Sequence, residues 1–193
     1  MTRPGDEVFH THPADCVVAP SGWFRLPSGL EVTAEPPLDA TTIQGDAPGL
    51  YARCSQMEAE QAAKALGGRL LTRNEVLEVC RVGHRLDPVT LPADNLMASR
   101  RRCEEHDAQV RSLLASTQWD GSKVVAGLGK WRISGGDPRN ERICGWPRRN
   151  GQLIQAGVQD IHLGEGRIGG RTDYATLFLV ARSGLISFPP VAA

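Results

Sequence analysis

Residues 55–82 read SQMEAEQAAKALGGRLLTRNEVLEVCRV, and this stretch decides the helical part of the fold. Ser55 with Glu58 fits a capping box, in which the hydroxyl takes an amide of the first turn and the glutamate reaches back to the cap. The helix so started is expected to run to about Leu66. Gly67 and Gly68 then stop it, because glycine enters the left-handed region at little cost. Thr72 and Glu75 repeat the box, and Val76, Leu77, Val79, Cys80 and Val82 give the next helix an apolar face. The two helices are expected to form a hairpin across residues 67–71.

Outward from this pair the pattern changes on both sides. Towards the carboxyl end, a loop with Pro88 and Pro92 leads to a third helix over about 99–116, with Cys103, Val110, Leu113 and Leu114 inward and Arg100, Arg101, Glu104, Glu105 and Arg111 in water. Past Trp119, Asp120 and Gly121 come short runs at 124–126, 131–133, 142–144, 153–155 and 175–180, separated by GGDPRN, RRNG and GEGRIGG. These read as strands joined by tight turns. Towards the amino end, Pro4, Pro13, Pro20, Pro27, Pro36, Pro37 and Pro48 leave room only for runs such as Cys16 to Val18 and Trp23 to Leu26. The expected organisation is an extended Pro-rich arm at 1–50, able to form a hairpin, and a single α+β domain at 51–193. In that domain a helical first half of three main helices packs on a small, mostly antiparallel, Gly-rich sheet.

With 193 residues, the chain is long enough to bury a core. Lys plus Arg and Asp plus Glu each number 22, so no net field draws the protein to nucleic acid or acidic lipid. No run approaches the ~18 apolar residues of a membrane span, and the amino terminus lacks the pattern of a signal peptide. The chain is therefore expected to be cytoplasmic as synthesised, reaching a virion or the exterior only by another route. Five cysteines, odd in number and with no C-x-x-C, point to free, mostly buried thiols rather than a disulfide framework or zinc ribbon.

Histidine is where chemistry near neutral pH would start. His10 and His12 have a spacing that suits two ligands of a zinc or nickel ion, and a free terminal arm explains the pair as well. His106, beside Asp107 on the third helix, either faces the core or meets the sheet. His162 opens the glycine-rich loop 163–170, which lacks the spacing and the Lys-Ser/Thr ending of a phosphate loop. Asp173 stands at the mouth of the last strong strand, where a carboxylate could orient His162 for acid–base work. The stretch 130–151 holds Lys130, Arg132, Arg139, Arg142, Arg148 and Arg149, with Trp131 and Trp146 interleaved. Basic groups beside aromatic faces suit sugars or anionic polymers, and equally a solvated turn region around two core tryptophans.

Two resemblances overlie this reading. Leu66-Gly-Gly-Arg-Leu-Leu-Thr72 with Glu75 resembles the LGGRLPTEAEWE segment of formylglycine-generating-enzyme-type C-type-lectin folds. Over about 50–182 the chain also resembles uncharacterised bacterial and phage proteins that carry, in order, LG-x-x-LPT, HNA, YGWH, PIQ, a lone His and DYSHG. The corresponding residues are Leu66-Gly67 with Leu70 to Thr72, His106-Asp107-Ala108, Cys144-Gly145-Trp146-Pro147, Leu153-Ile154-Gln155, His162 and Asp173-Tyr174-Ala175. Two histidines of that pattern are absent, since Pro147 and either Thr176 or Leu177 stand in their places.

The second resemblance implies a role towards cell-wall material. The expectation is a phage-related or bacterial hydrolase-like domain acting on peptidoglycan, with His106, His162 and Asp173 as catalytic groups. Lys130, Trp131, Trp146, Gln155 and Tyr174 would bind, and no cofactor or metal would be needed. The alternative is a non-catalytic virion, assembly or glycan-binding protein, its partners being cell-wall glycan or peptide or other virion proteins. Loss of the two pattern histidines and the Pro-rich arm favour it.

Overall fold

A computed structural model describes residues 4–87, 89, 91, 96–128, 130–134, 140–145, 148–149, 152–153, 158–162 and 176–184, for 140–162 as backbone only. The fold is α+β. In chain order its described elements begin with a 3-10 turn at Pro13–Asp15, β1 (Cys16–Val17), β2 (Trp23–Arg25), β3 (Leu30–Thr33), β4 (Leu38–Asp39) and a second 3-10 turn at Ala40–Thr42. Then follow α1 (Gln56–Ala65), β5 (Arg69–Leu70), α2 (Arg73–Val82), β6 (His84–Arg85) and α3 (Arg100–Ser116). The last part supplies β7 (Val125–Ala126), β8 (Lys130–Arg132), β9 (Asn140–Gly145), β10 (Arg148–Arg149), β11 (Gln152–Leu153), β12 (Val158–His162), β13 (Thr176–Phe178) and β14 (Val180–Ser183).

Two four-stranded sheets, ordered β2-β3-β14-β5 and β12-β9-β8-β13, meet end to end because β13 and β14 are one run of chain with a break at Leu179. Successive residues of that run point to opposite faces, as the pleat requires. Phe178 and Val180 join Ala59, Ala62 and Ala63 of α1, with Leu70. Leu177, Leu179 and Ala181 join Val76 and Val79 of α2 and Cys103, Val110 and Leu114 of α3, with Val32. The run is thus the middle layer of a sandwich, α1 on one side and α2 with α3 on the other. Pairing is mostly antiparallel, with β13 on β8 and β6 on β7 as parallel exceptions.

The caps account for the helix limits. At α2 the exchange is reciprocal: Thr72 N donates to Glu75 Oε2 at 2.8 Å, and Glu75 N to Thr72 Oγ1 at 3.4 Å. At α1, Ser55 N donates to Glu58 Oε2 at 3.0 Å. Gly67, at φ 81°, turns the chain out of α1, with Gly67 N bonded to Lys64 O and Gly68 N to Ala63 O, the two bonds of a Schellman ending.

Two expectations change. Residues 67–71 are not a bare link between helices, because β5 lies there and pairs with β14 through Leu70 and Arg69. A strand of two residues carries too little periodicity to be read. The Pro-rich segment expected as an extended arm is also built into a sheet. Residues 16–39 supply four strands, β2 and β3 pairing as a hairpin and β3 pairing with β14 next to the C-terminal end of the described chain. Ahead of them, residues 5–9 lie on the start of α3. Gly5 O and Glu7 O accept from Arg101 N and Arg100 N, and Phe9 N donates to Ala98 O. Two amides that α3 cannot satisfy internally are satisfied in this way.

The adjacent glycines make a paired test. An added Cβ at Gly67 would meet nothing within 4 Å, so Gly67→Ala carries only the left-handed backbone cost of about 1–2 kcal/mol. At Gly68 the added Cβ would run into Ala181 O and come within 2.7 Å of Val180 Cγ1, so β5 must move off β14. Urea unfolding should show Gly68→Ala losing more stability, roughly 3 kcal/mol. Equal losses would contradict this packing.

Candidate functional site

The buried face of α3 carries Cys103, His106, Asp107, Val110 and Leu114 at helical spacing, so a core layer contains a histidine and an aspartate. His106 is 0% exposed and Asp107 1% exposed. A carboxylate removed from water must find compensating partners. They come from the segment between β4 and α1: Tyr51 N donates to Asp107 Oδ2 at 2.7 Å, and the Arg53 guanidinium bonds both carboxylate oxygens. Arg53, itself 0% exposed, also donates to Tyr51 O. His106 Nδ1 lies 3.0 Å from Asp107 Oδ1 and 3.3 Å from Arg53 Nη2.

The electrostatics follow. Burial alone would raise the Asp107 pKa, but the Arg53 charge and the His106 and Arg53 hydrogen bonds outweigh it and hold the carboxyl below its ordinary value. For His106 burial dominates and, with the Arg53 charge, lowers its pKa despite the Asp107 carboxylate and a bond to the Leu128 backbone. The stable state is therefore a neutral imidazole beside an arginine–aspartate ion pair. Thr11 extends the network, Thr11 N donating to Arg53 O at 2.8 Å and Arg53 N to Thr11 Oγ1 at 3.0 Å. On the other side, Tyr51 Oη donates to Glu35 Oε2 at 2.9 Å, and Arg111 stands 5.1 Å above the Tyr51 ring.

Only some of the remaining sequence candidates lie among the described residues. His162 ends β12, its backbone paired with Asn140. Asp173, Tyr174, Trp146 and Gln155 lie outside the described residues. Trp131 is 1% exposed in the core, so its ring faces protein and not a ligand. Lys130 is half-buried at the start of β8, its backbone paired with Gly145 and Thr176. His10 and His12 have separate partners: His10 Nε2 lies 2.9 Å from Glu58 Oε1, and His12 Nδ1 accepts from Ala14 N. Among the described residues no three His, Cys, Asp or Glu side chains gather as a metal site, and no helix is long and apolar enough to cross a membrane.

Arg53 is the residue that sequence reasoning missed. Its one signal is position: it stands in Tyr51-Ala-Arg-Cys54, among residues otherwise suited to a core, immediately before a helix cap. The cluster as a whole is a closed polar key between α3 and the chain entering α1, with both charges spent on each other. No family model, curated protein or solved structure matches the chain. What fold and cluster define is thus a class, an α+β domain keyed by a buried Arg–Asp–His group.

Two outcomes follow. Asp107→Ala leaves the Arg53 charge uncompensated and should cost roughly 3–5 kcal/mol in chemical unfolding, whereas Arg53→Met with Asp107→Leu should recover much of that loss. A double variant no more stable than the single would argue against the ion pair. For His106, the folded pKa lies below the ordinary 6.5, so below pH 6.5 the unfolded chain binds the extra proton and stability falls. Asp107, lowered from 3.8, adds a loss of the same sign at more acid pH. Thermal melting should fall from pH 7 to pH 5, and His106→Gln, less stable at pH 7 by about 1–3 kcal/mol, should flatten that slope. An unchanged slope would show that another group titrates.

Proposed function

We propose that the chain is a non-catalytic glycan-binding module directed at cell-wall material. The observation that carries this reading is the sealing of His106 behind Arg53 and Asp107, at 0% exposure. A general acid or base must come within hydrogen-bond reach of a substrate proton, and an enclosed neutral imidazole next to a guanidinium does not.

The binding surface in this reading is carried by the connections of the β12-β9-β8-β13 sheet. The sequence there supplies Arg148, Arg149, Trp146, Gln155 and Tyr174, an aromatic-and-arginine set suited to sugar faces and to the carboxylates of wall peptides. Trp131, being core, drops out of that set. The resemblance to bacterial and phage proteins supplies the cell-wall direction, and the local likeness to C-type-lectin folds is compatible with a scaffold that presents long connections. The competing hydrolase would have to work through His162 and Asp173 without His106.

Co-sedimentation with purified peptidoglycan tests this. The wild type should pellet with the wall and release no soluble fragments. The variant Trp146→Ala, Arg148→Ala, Arg149→Ala should bind roughly 30-fold more weakly, as loss of central aromatic and arginine contacts entails. No pelleting of the wild type would refute the binding module. Fragment release abolished by His162→Ala would put the hydrolase in its place.

A further inference from the structure

Cys16 follows the Pro13–Asp15 turn and opens β1, while Cys54 directly precedes the Ser55 cap of α1. They are 38 positions apart in sequence, yet their sulfurs lie 3.7 Å apart, in contact. Both are buried, at 5% and 1% exposure, in the small core layer formed with Ala52, Ala59 and Leu70. A second pair of contacts covers them: Cys54 Sγ is 3.3 Å from Thr11 O, and Cys16 Sγ 3.8 Å from His12 O. A bond between the sulfurs forms at about 2.0 Å, so roughly 1.7 Å separates contact from linkage.

We propose that Cys16 and Cys54 are a dedicated disulfide-forming pair, oxidised by exchange with an external disulfide and serving to fasten the β1 segment to the start of α1. The chemistry balances without any group from the rest of the chain. One cysteine thiolate attacks an external disulfide and expels one thiolate of it, leaving a mixed disulfide. The second cysteine attacks the protein-side sulfur of that bond and expels the other. Two electrons pass to the external disulfide, and the two cysteine protons end on its two thiols.

The surroundings set when this happens. Hydrogen bonding to Cys16, and after it burial, push the Cys54 thiol far above its ordinary range, so the folded dithiol holds almost no thiolate. Thiolate is the attacking species. Exchange therefore belongs to folding, or to moments when residues 11 and 12 lift from the sulfurs, and the folded dithiol resists casual oxidation. The position also matters mechanically. β1 is held to β4 by two residue pairs, Cys16 with Asp39 and Val17 with Leu38, so a covalent link to the start of α1 reinforces a segment that its own ladder holds only briefly.

The full-length protein, reduced and unfolded, is refolded with oxidised and reduced glutathione, alkylated, digested without reductant and mapped by mass spectrometry. The dominant crosslink should join the Cys16 and Cys54 peptides. The oxidised protein should melt roughly 10 °C above the same protein after reduction, the gain expected when a loop of this length is closed. Because the readout is the oxidised-minus-reduced difference within each protein, it does not depend on a variant's own stability. Cys16→Ala should show no difference, and Cys80→Ala the full one. Absence of the Cys16–Cys54 link from refolded protein, a link that leaves the melting temperature unmoved, or a full difference persisting in Cys16→Ala would each overturn the proposal.

Discussion

Asp107 is a full charge at 1% exposure, and much of the neighbouring chain is arranged around it. A carboxylate there costs several kcal/mol to desolvate unless a cation and hydrogen-bond donors meet it. Meeting it fixes Arg53 and the Tyr51 amide against α3, and with them the direction in which the chain enters α1. Thr11 is bound to Arg53 through backbone and side chain, so the amino-terminal segment is fixed by the same charge at one remove. His106, neutral because its surroundings oppose a second cation, fills the remaining space beside the pair. Position on α3 alone makes His106 resemble a catalytic group, whereas its partners enclose it in the core.

The elements legible in the sequence are those whose signal is local. Both capping boxes, the glycine stop at Gly67 and the inward stripe of α3 depend on residues within one or two turns of each other, and each helix lies within a residue or so of its expected limits. Several strands of the last part were also legible as runs, although β10 falls on the RRNG stretch that reads as a turn, and their partners were not legible. That β13 and β14 form one continuous run serving two sheets is a long-range fact: Leu177 sits opposite Trp131, and Ala181 opposite Val32, 149 positions away. Nothing in residues 175–180 states which strands will flank them. β5 was hidden for the complementary reason, since Arg69 and Leu70 read as a turn until β14 is available to pair with them.

The site was less legible, because chemical residue type and surroundings pull apart. His106 and Trp131 attract attention as a titrating ring and an aromatic platform, yet both are core, at 0% and 1% exposure. Arg53, the residue that gives His106 and Asp107 their meaning, looks in the sequence like one more arginine among many. The Cys16 and Cys54 sulfurs are in contact across 38 positions, although their spacing matches no cysteine pattern. In each case the deciding fact is a partner distant in sequence.

A polar cluster of this kind is a costly way to fill a core, since apolar side chains of similar volume often stabilise at least as well. What it supplies is specificity of docking. β1 and β4 are two residues long, and ladders so short hold their register weakly, because a slip of one residue exchanges the two faces of a strand. Ala59, Ala62 and Ala63 of α1 are small and similar, so the apolar layer above them discriminates poorly between neighbouring alignments. The Arg53–Asp107 pair does discriminate, because shifting the 51–54 segment by one residue would replace Arg53 by Ala52 or Cys54 and leave the carboxylate without its cation. The ion pair and the cysteine contact lie on successive residues of that segment, so a single alignment satisfies both. That alignment places Ser55 at the cap of α1, from which the helix and the sheet beneath it follow.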